Sequence, residues 1–319
     1  MTASRRFPLW VTLLPLVAAI GLYGLLWRGW ADDFRAEITA LLPSATLEIG
    51  GFPYRLEIAT TKPRLALGSA LRLDIAADSA RINRGPWRPN PSVIRLENPR
   101  VSLVASPAIA ARINAAAATA SINWGEGRLR RQSSILQAAT LALGTSPLAI
   151  AADTLELHLR EVEGDPVPQT SPTREARGQL VVAASRLRLA SGDALTLSAE
   201  VLATAGMRLT DYARWADGGT LELTRLTMAD AHGEILSASA TLTPNRSQAL
   251  DIAGAIETVC PATLTAAFSG AISTPEKRLR VPVRLALAGQ LDAPRLAPLP
   301  DLRGRPRRAQ EPDCPQLRG

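Results

Sequence analysis

The chain has 319 residues, a formal net charge of +7, 46% hydrophobic residues and only 4% aromatic ones. This is ample apolar mass for a core and far too much for a disordered chain, while the scarcity of aromatics favours a thin, extended layer of Leu, Ala, Val and Ile. The charge is arginine almost throughout, since Lys62 and Lys277 are the only lysines; it is scattered, without aromatic interleaving or a recognised motif, which argues against nucleic acid as a partner.

Residues 7–27 form a run of 21 without a charged side chain, preceded by Arg5 and Arg6 and followed by Arg28. As a helix it would be about 31 Å long at ~1.5 Å per residue, which matches a hydrocarbon core. Trp10 lies near one end, with Tyr23, Trp27 and Trp30 at the other, as in an interfacial aromatic belt. The expectation is a single transmembrane helix at 7–27 in a bacterial inner membrane, with 1–6 as a cytoplasmic arm and the body periplasmic. A cleaved signal peptide, with Gly29 and Ala31 at the cleavage spacing, is the alternative, and it exports the body equally. Phe34, Ile38 and either Leu41 or Leu42 at helical spacing predict a juxtamembrane helix over 28–43, stopped by Pro43.

From Ala45 onward the period changes to two. Leu47 and Ile49 predict one strand and 54–58 its hairpin partner, across Gly50-Gly51. Strands follow at 71–75, 93–96 and 101–104, the last two flanking an Asn98-Pro99 break, and 86–91 reads as a rigid loop. The alanine-rich 105–120 leans towards strand. Leu155, Leu157 and Leu159 alternate with Glu156, His158 and Arg160 as a half-buried strand, and 164–178 reads as a long exposed loop. A hairpin is expected over 181–189 and 195–201, then a short helix at 210–216. Strands at 221–226, 234–242, 250–256 and 279–287 are interrupted by a helix at 261–269.

The predicted class is a mainly β protein with an N-terminal transmembrane helix and a few short helices. Its antiparallel sheets are apolar on one face. Either two sheets face each other as a sandwich, or one curved sheet folds around its own apolar face as a groove. Residues 44–300 make the β-rich domain, with a division into two lobes near 164–178 left open. The Pro-rich end, 301–319, with Arg303, Arg305, Arg307 and Arg308, is expected to be a disordered basic tail.

Chemistry is sparse. His158 and His232 are the only histidines, both placed on solvated positions, and no metal, phosphate-binding or nucleophile motif is present. No catalytic residue, metal or cofactor is expected, and the protein is read as non-enzymatic. Cys260 and Cys314 either pair, closing a long loop, or stay free. The functional trace is an apolar stripe: Leu155, Leu157, Leu159, Leu187, Leu189, Leu195, Leu197, Leu221, Leu223 and Leu226. It is either a closed core or a surface for acyl chains, so the expected partners are the membrane, with lipids or other envelope proteins.

Gly51-Phe52-Pro53-Tyr54-Arg55, the loop Pro86-Trp87-Arg88-Pro89, and the run from Trp215-Ala216-Asp217-Gly218-Gly219 through Leu226 resemble the bacterial family known as domain of unknown function 2125. Ser239-Ala240-Thr241-Leu242 stands where that family commonly has a Gly-Thr-Leu phrase. The resemblance implies a membrane-anchored, β-rich periplasmic protein, mainly of alphaproteobacteria, with no activity attached. The Leu-rich alternating strands are also similar, at the level of fold, to AsmA-like and TamB-like proteins associated with lipid movement between membranes.

Overall fold

The computed structural model describes residues 9–68, 71–88, 90–106, 109–125, 128–144, 150–166, 175–190, 192–204, 215–245, 249–272, 274–291, 293–297 and 311–317. Helix α1 (Leu9–Leu41) runs unbroken through both predicted helical segments, with Pro15 inside it. The strands that follow are β1 (Leu47–Gly50), β2 (Leu56–Thr61), β3 (Arg64–Leu67), β4 (Arg72–Ala76), β5 (Ser79–Arg84), β6 (Ser92–Glu97), β7 (Arg100–Ser106), β8 (Ile109–Asn114) and β9 (Ala117–Gly125). Then come β10 (Arg128–Leu143), β11 (Ile150–Pro166), β12 (Glu175–Leu189), β13 (Leu195–Thr204), β14 (Thr220–Asp230), β15 (Gly233–Pro244) and β16 (Leu250–Thr258). Helix α2 (Pro261–Ser269), β17 (Val283–Gln290) and β18 (Ala293–Leu296) complete the series.

All 18 strands belong to one hydrogen-bonded sheet, and every pairing is antiparallel. One ladder runs β1, β2, β5, β6, β9, β10. A second runs β3, β4, β7, β8 and joins the far half of β10. From β10 to β18 each strand pairs with the next. Of the two architectures expected from sequence, the pair of separate sheets is therefore not found.

The two ladders are two halves of the same strands, bent along a line. Backbone hydrogen bonds continue across the gap: Lys62 donates to Asp78, Asp78 to Glu97, Asn98 to Ala116, and Ala116 to Gln137. At this line each strand presents two consecutive residues outward, at 61/62, 78/79, 97/98, 116/117, 137/138, 153/154 and 185/186. The alternation then resumes one step out of phase. Thr60 and Pro63, Ala77 and Ala80, Ala115 and Ala118, and Ala152 and Leu155 are accordingly all buried on one face. Lys62, Asn98, Ala138 and Arg186 take φ near the left-handed region, at +50°, +48°, +48° and +49°. A side chain there costs on the order of 1–2 kcal/mol in an L-residue, so the bend is held by the pairing around it. Two outward residues in succession lengthen the polar side of each strand and curl the sheet towards its apolar, inner face.

The sheet ends are closed in different ways. At the first, Ala31, Phe34, Ile38 and Leu42 of α1 pack on Leu56, Ile58 and Ile82. Arg84 clamps the helix, with its guanidinium 4.1 Å from the centre of the Phe34 ring and 2.6 Å from Glu37. At the second, residues 311–317 are woven into the body. Cys314 is bonded to Cys260, the Cys314 amide donates to Glu276 and the Arg278 amide to Pro312, and Leu317 is buried. The expected disordered tail is thus ordered over 311–317, because a covalent and backbone attachment outweighs its polar composition; 301–310 lie outside the described residues.

Three further expectations change. Strands β11 and β12 carry pairing into both ends of the expected 164–178 loop, with Asp165 opposite Ala176 and Pro166 opposite Glu175; 167–174 lie outside the described residues. Backbone pairing needs no apolar side chains, which is why a polar stretch reads as loop. The strand expected at 279–287 begins only at Val283, after Pro282, which has no N–H to give to a ladder. Of the helix expected at 210–216 only 215 and 216 are described, and these are helical.

One position in the far ladder leaves no room at all. A Cβ on Gly254 would lie 2.2 Å from the Ser239 carbonyl oxygen and 2.6 Å from the Ala240 Cβ. Gly254→Ala is expected to lower stability by about 2–3 kcal/mol through this overpacking, read as a lower urea midpoint with an unchanged slope.

Candidate functional site

The inner face of the sheet is the largest surface the fold creates, and register places all ten leucines of the stripe on it. Leu155 stands opposite Leu136 and Ala184, Leu157 opposite Ser134 and Val182, and Leu159 opposite Gln132 and Leu180. Leu187 faces Leu195, and Leu189 faces Ile150. Leu197 meets Met228, Leu226 meets Ala199, Leu223 meets Val201 and Leu221 meets Ala203.

Burial divides them. Leu155, Leu187 and Leu195 are core, at 5%, 6% and 2% exposure. Leu157, Leu189, Leu197, Leu221, Leu223 and Leu226 are only half-buried against that core, and Leu159 is 38% exposed. Leu155 and Leu187 flank the bend, and Leu195 stands opposite Leu187; half-buried Leu197 shares the row of Leu155 through Ala184, Leu157 and Leu226 lie one row further out, and Leu159, Leu223 and Leu221 lie beyond them. Full burial of a leucine is worth about 1.5–3 kcal/mol, so each half-buried leucine retains a share of that for another apolar surface. Leu180, Val182, Val201 and Met228 share this face and were missed in the sequence. Their signal was the same period of two, interrupted on β12 by the phase shift at 185/186 and on β13 and β14 by the register shifts at 200/201, 223/226 and 228/229.

The opposite face carries a small buried polar network in the run Trp215 to Leu226. The Glu222 carboxylate, 4% exposed, accepts from Thr220 Oγ1 at 2.8 Å and Thr241 Oγ1 at 2.6 Å. Thr220 and Thr204 hydroxyls are hydrogen-bonded to each other, and Trp215 Nε1 donates to the Thr204 carbonyl at 3.0 Å. The indole lies so close over Gly219 that a Cβ there would come within 2.4 Å of it. The tryptophan, the glycine, the threonine and the glutamate of this run therefore make one packed unit.

Among the described residues the two histidines stand apart from each other. His158 is on the outer face, its Nε2 3.5 Å from Glu156, and His232 lies in the turn where its amide meets Asp230. Among the described residues no three His, Cys, Asp or Glu converge as a metal site. A concavity of about 710 Å³ near the bend is lined by Lys62, Arg64, Asp74, Asp78, Arg100 and Arg112 among others. Arg100 pairs there with Asp78 at 3.3 Å, while Asp74 pairs with Arg72 at 2.8 Å.

At the N-terminal end, Leu13–Leu41 is long and apolar enough to cross a membrane and is the one such helix among the described residues. No curated protein and no solved structure matches the chain, so the likeness to AsmA-like and TamB-like strands gains no further support. The family model described as an uncharacterized protein conserved in bacteria, DUF2125, matches residues 42–288, from the end of α1 to the penultimate strand, and the chain belongs to that family.

Proposed function

We propose that this is a non-enzymatic, membrane-anchored protein of the bacterial envelope, with its N-terminus cytoplasmic and its body periplasmic, that holds acyl chains on the inner face of its sheet. One observation carries the reading. The half-open leucine rows lie on the same face that α1 covers with Phe34 and Ile38: the row Ile58, Ile82, Ile94, Ala120, Ser134, Leu157 runs across it, so one face, apolar but for Ser134 in this row, leads from the helix into the body. A lipid chain needs such a continuous apolar lining and little else. Two features support the placement: the arginines before the apolar run, and the Cys260–Cys314 bond, which persists in an oxidising compartment.

The test is a photoreactive side chain in the full-length protein, irradiated in cells. At Leu157, on the inner face, phospholipid adducts are expected; at Glu156, its outward neighbour, none. Equal yields at both positions, or protein adducts at 157 in place of lipid, would sink the acyl-chain reading and favour an interaction module with a filled β-core.

A further inference from the structure

We infer that one rim of the sheet, formed by three hairpin tips, rests on the bilayer surface as a second contact beside α1. The reading of α1 as a membrane helix underlies this; what the inner face binds does not enter it.

The depth of the first tip is fixed by the helix. Phe52 packs on Trp27 and Tyr23 with ring centroids 5.4 and 6.1 Å apart. Tyr23 donates its hydroxyl to the Pro53 carbonyl, and Trp27 Nε1 donates to the Arg55 carbonyl at 3.2 Å. Tyr23 and Trp27 occupy the last turns before Arg28, where the apolar run meets the headgroups. The turn between β1 and β2 therefore reaches down to that level. Further along, Phe34 and Glu37 meet Arg84, which stands opposite Leu56. Successive turns of α1 leaving the membrane thus meet first the β1–β2 turn and then the end of β5 beside Leu56, and the strands stand with one end towards the bilayer.

Register then says which tips share that end. Leu56 pairs with Arg84, Ser92 with Ile122, and Ile122 with Gln132. The loops beyond this row are the β1–β2, β5–β6 and β9–β10 connections. Large exposed aromatic side chains stand at each: Phe52 at 54% and Tyr54 at 82% exposure on the first, Trp87 at 60% on the second, and Trp124 at 54% at the end of β9 beside the third. Asn90 links the last two tips by donating to the Trp124 carbonyl at 2.9 Å. At ~4.8 Å per strand, β2 to β9 spans about 14 Å, a footprint several lipid headgroups wide.

In a chain with 4% aromatic residues, four exposed at one rim, level with an interfacial Tyr and Trp, match a membrane–water interface. There an amphipathic ring buries its body among acyl chains and keeps its polar edge wet. Arg88 beside them, and Arg55, which pairs with Glu57 at 2.8 Å, suit anionic lipid phosphates.

The experiment places a photoreactive side chain at 87, at 124, or at 143 in the full chain, reconstituted in phosphatidylethanolamine–phosphatidylglycerol vesicles. Leu143 is 46% exposed at the opposite end of β10 and serves as the distal control. The expected result is flotation of the protein with the vesicles and several-fold more phospholipid adduct at 87 and 124 than at 143. Flotation with equal adduct at all three positions overturns the rim contact while leaving the anchor. Failure to float overturns both. With lipids brominated near the headgroup, the chain carrying Trp87→Phe and Trp124→Phe should lose part of the quenchable emission, and an unchanged quenched fraction counts against the contact.

Discussion

Replacing Phe34 by alanine is expected to cost about 3–5 kcal/mol and to release the membrane-distal half of α1 from the sheet. The ring is 1% exposed and sits in the buried apolar cluster that the membrane-distal half of the helix shares with Leu56, Ile58 and Ile82. It is also the surface over which the Arg84 guanidinium lies. Truncation leaves a cavity in a small cluster and removes one of the two partners that hold a cation whose side chain is only 11% exposed. The measurement is limited proteolysis of the full chain in vesicles. Cleavage within 31–41 should appear in Phe34→Ala well before any cut in the strands, together with a lower thermal midpoint. A variant as resistant as the parent would mean that the helix is held elsewhere. The comparison with Glu37→Ala separates ring packing from the ion pair, since an exposed partner of that kind contributes about 0–1 kcal/mol.

Removing both Cys260 and Cys314 is expected to lower stability by about 4 kcal/mol in the chain-entropy model, given a sequence separation of 54. The loss should be concentrated at the far end of the sheet, where several weaker contacts depend on the covalent tie. Glu276 accepts from the amides of Ala262 and Thr263, at 3.3 and 2.9 Å, at the N-terminus of α2, whose preceding residue is Cys260. Arg278 and Asp230 form a buried ion pair beside it. The Gln316 amide donates to the Asp193 carboxylate at 2.7 Å and the Asp193 amide to the Gln316 carbonyl at 2.7 Å. Without the bond, 311–317 must pair with the body as a free terminus, and the entropy of holding it opposes those contacts. Urea unfolding of the double Cys→Ser chain checks the magnitude. Alkylation in intact cells before lysis checks the compartment: two protected thiols fit an exported body, whereas full labelling would contradict export.

Much of the architecture was legible in the chain because its signals are local. The uncharged 7–27 run, the switch from a helical period to a period of two after Pro43, and the alternating leucines each need only a few neighbouring residues to be read. The helix at 261–269 was read with the bounds it has in the fold, Pro261–Ser269. The Cys260–Cys314 pair was visible as an option and no more, since sequence gives separation in the chain and not distance in space.

The bend, the single sheet and the division of the leucine stripe were decided only by tertiary pairing. Asn98-Pro99 reads as a break between two strands. It becomes a crease because 61/62, 78/79, 116/117 and 137/138 break in the same row, and register across strands is a non-local quantity. The same pairing makes Leu155 core and leaves Leu159 open, although their local sequences are alike. It also brings Phe52, Trp87 and Trp124 to one rim from three distant hairpins. The sequence by itself determined that this protein has a membrane-length helix and a mainly β body with one apolar face. Which parts of that face are filled, and which end of the sheet lies beside the helix, followed only from how the strands align, because each residue's burial is set by partners many tens of positions away.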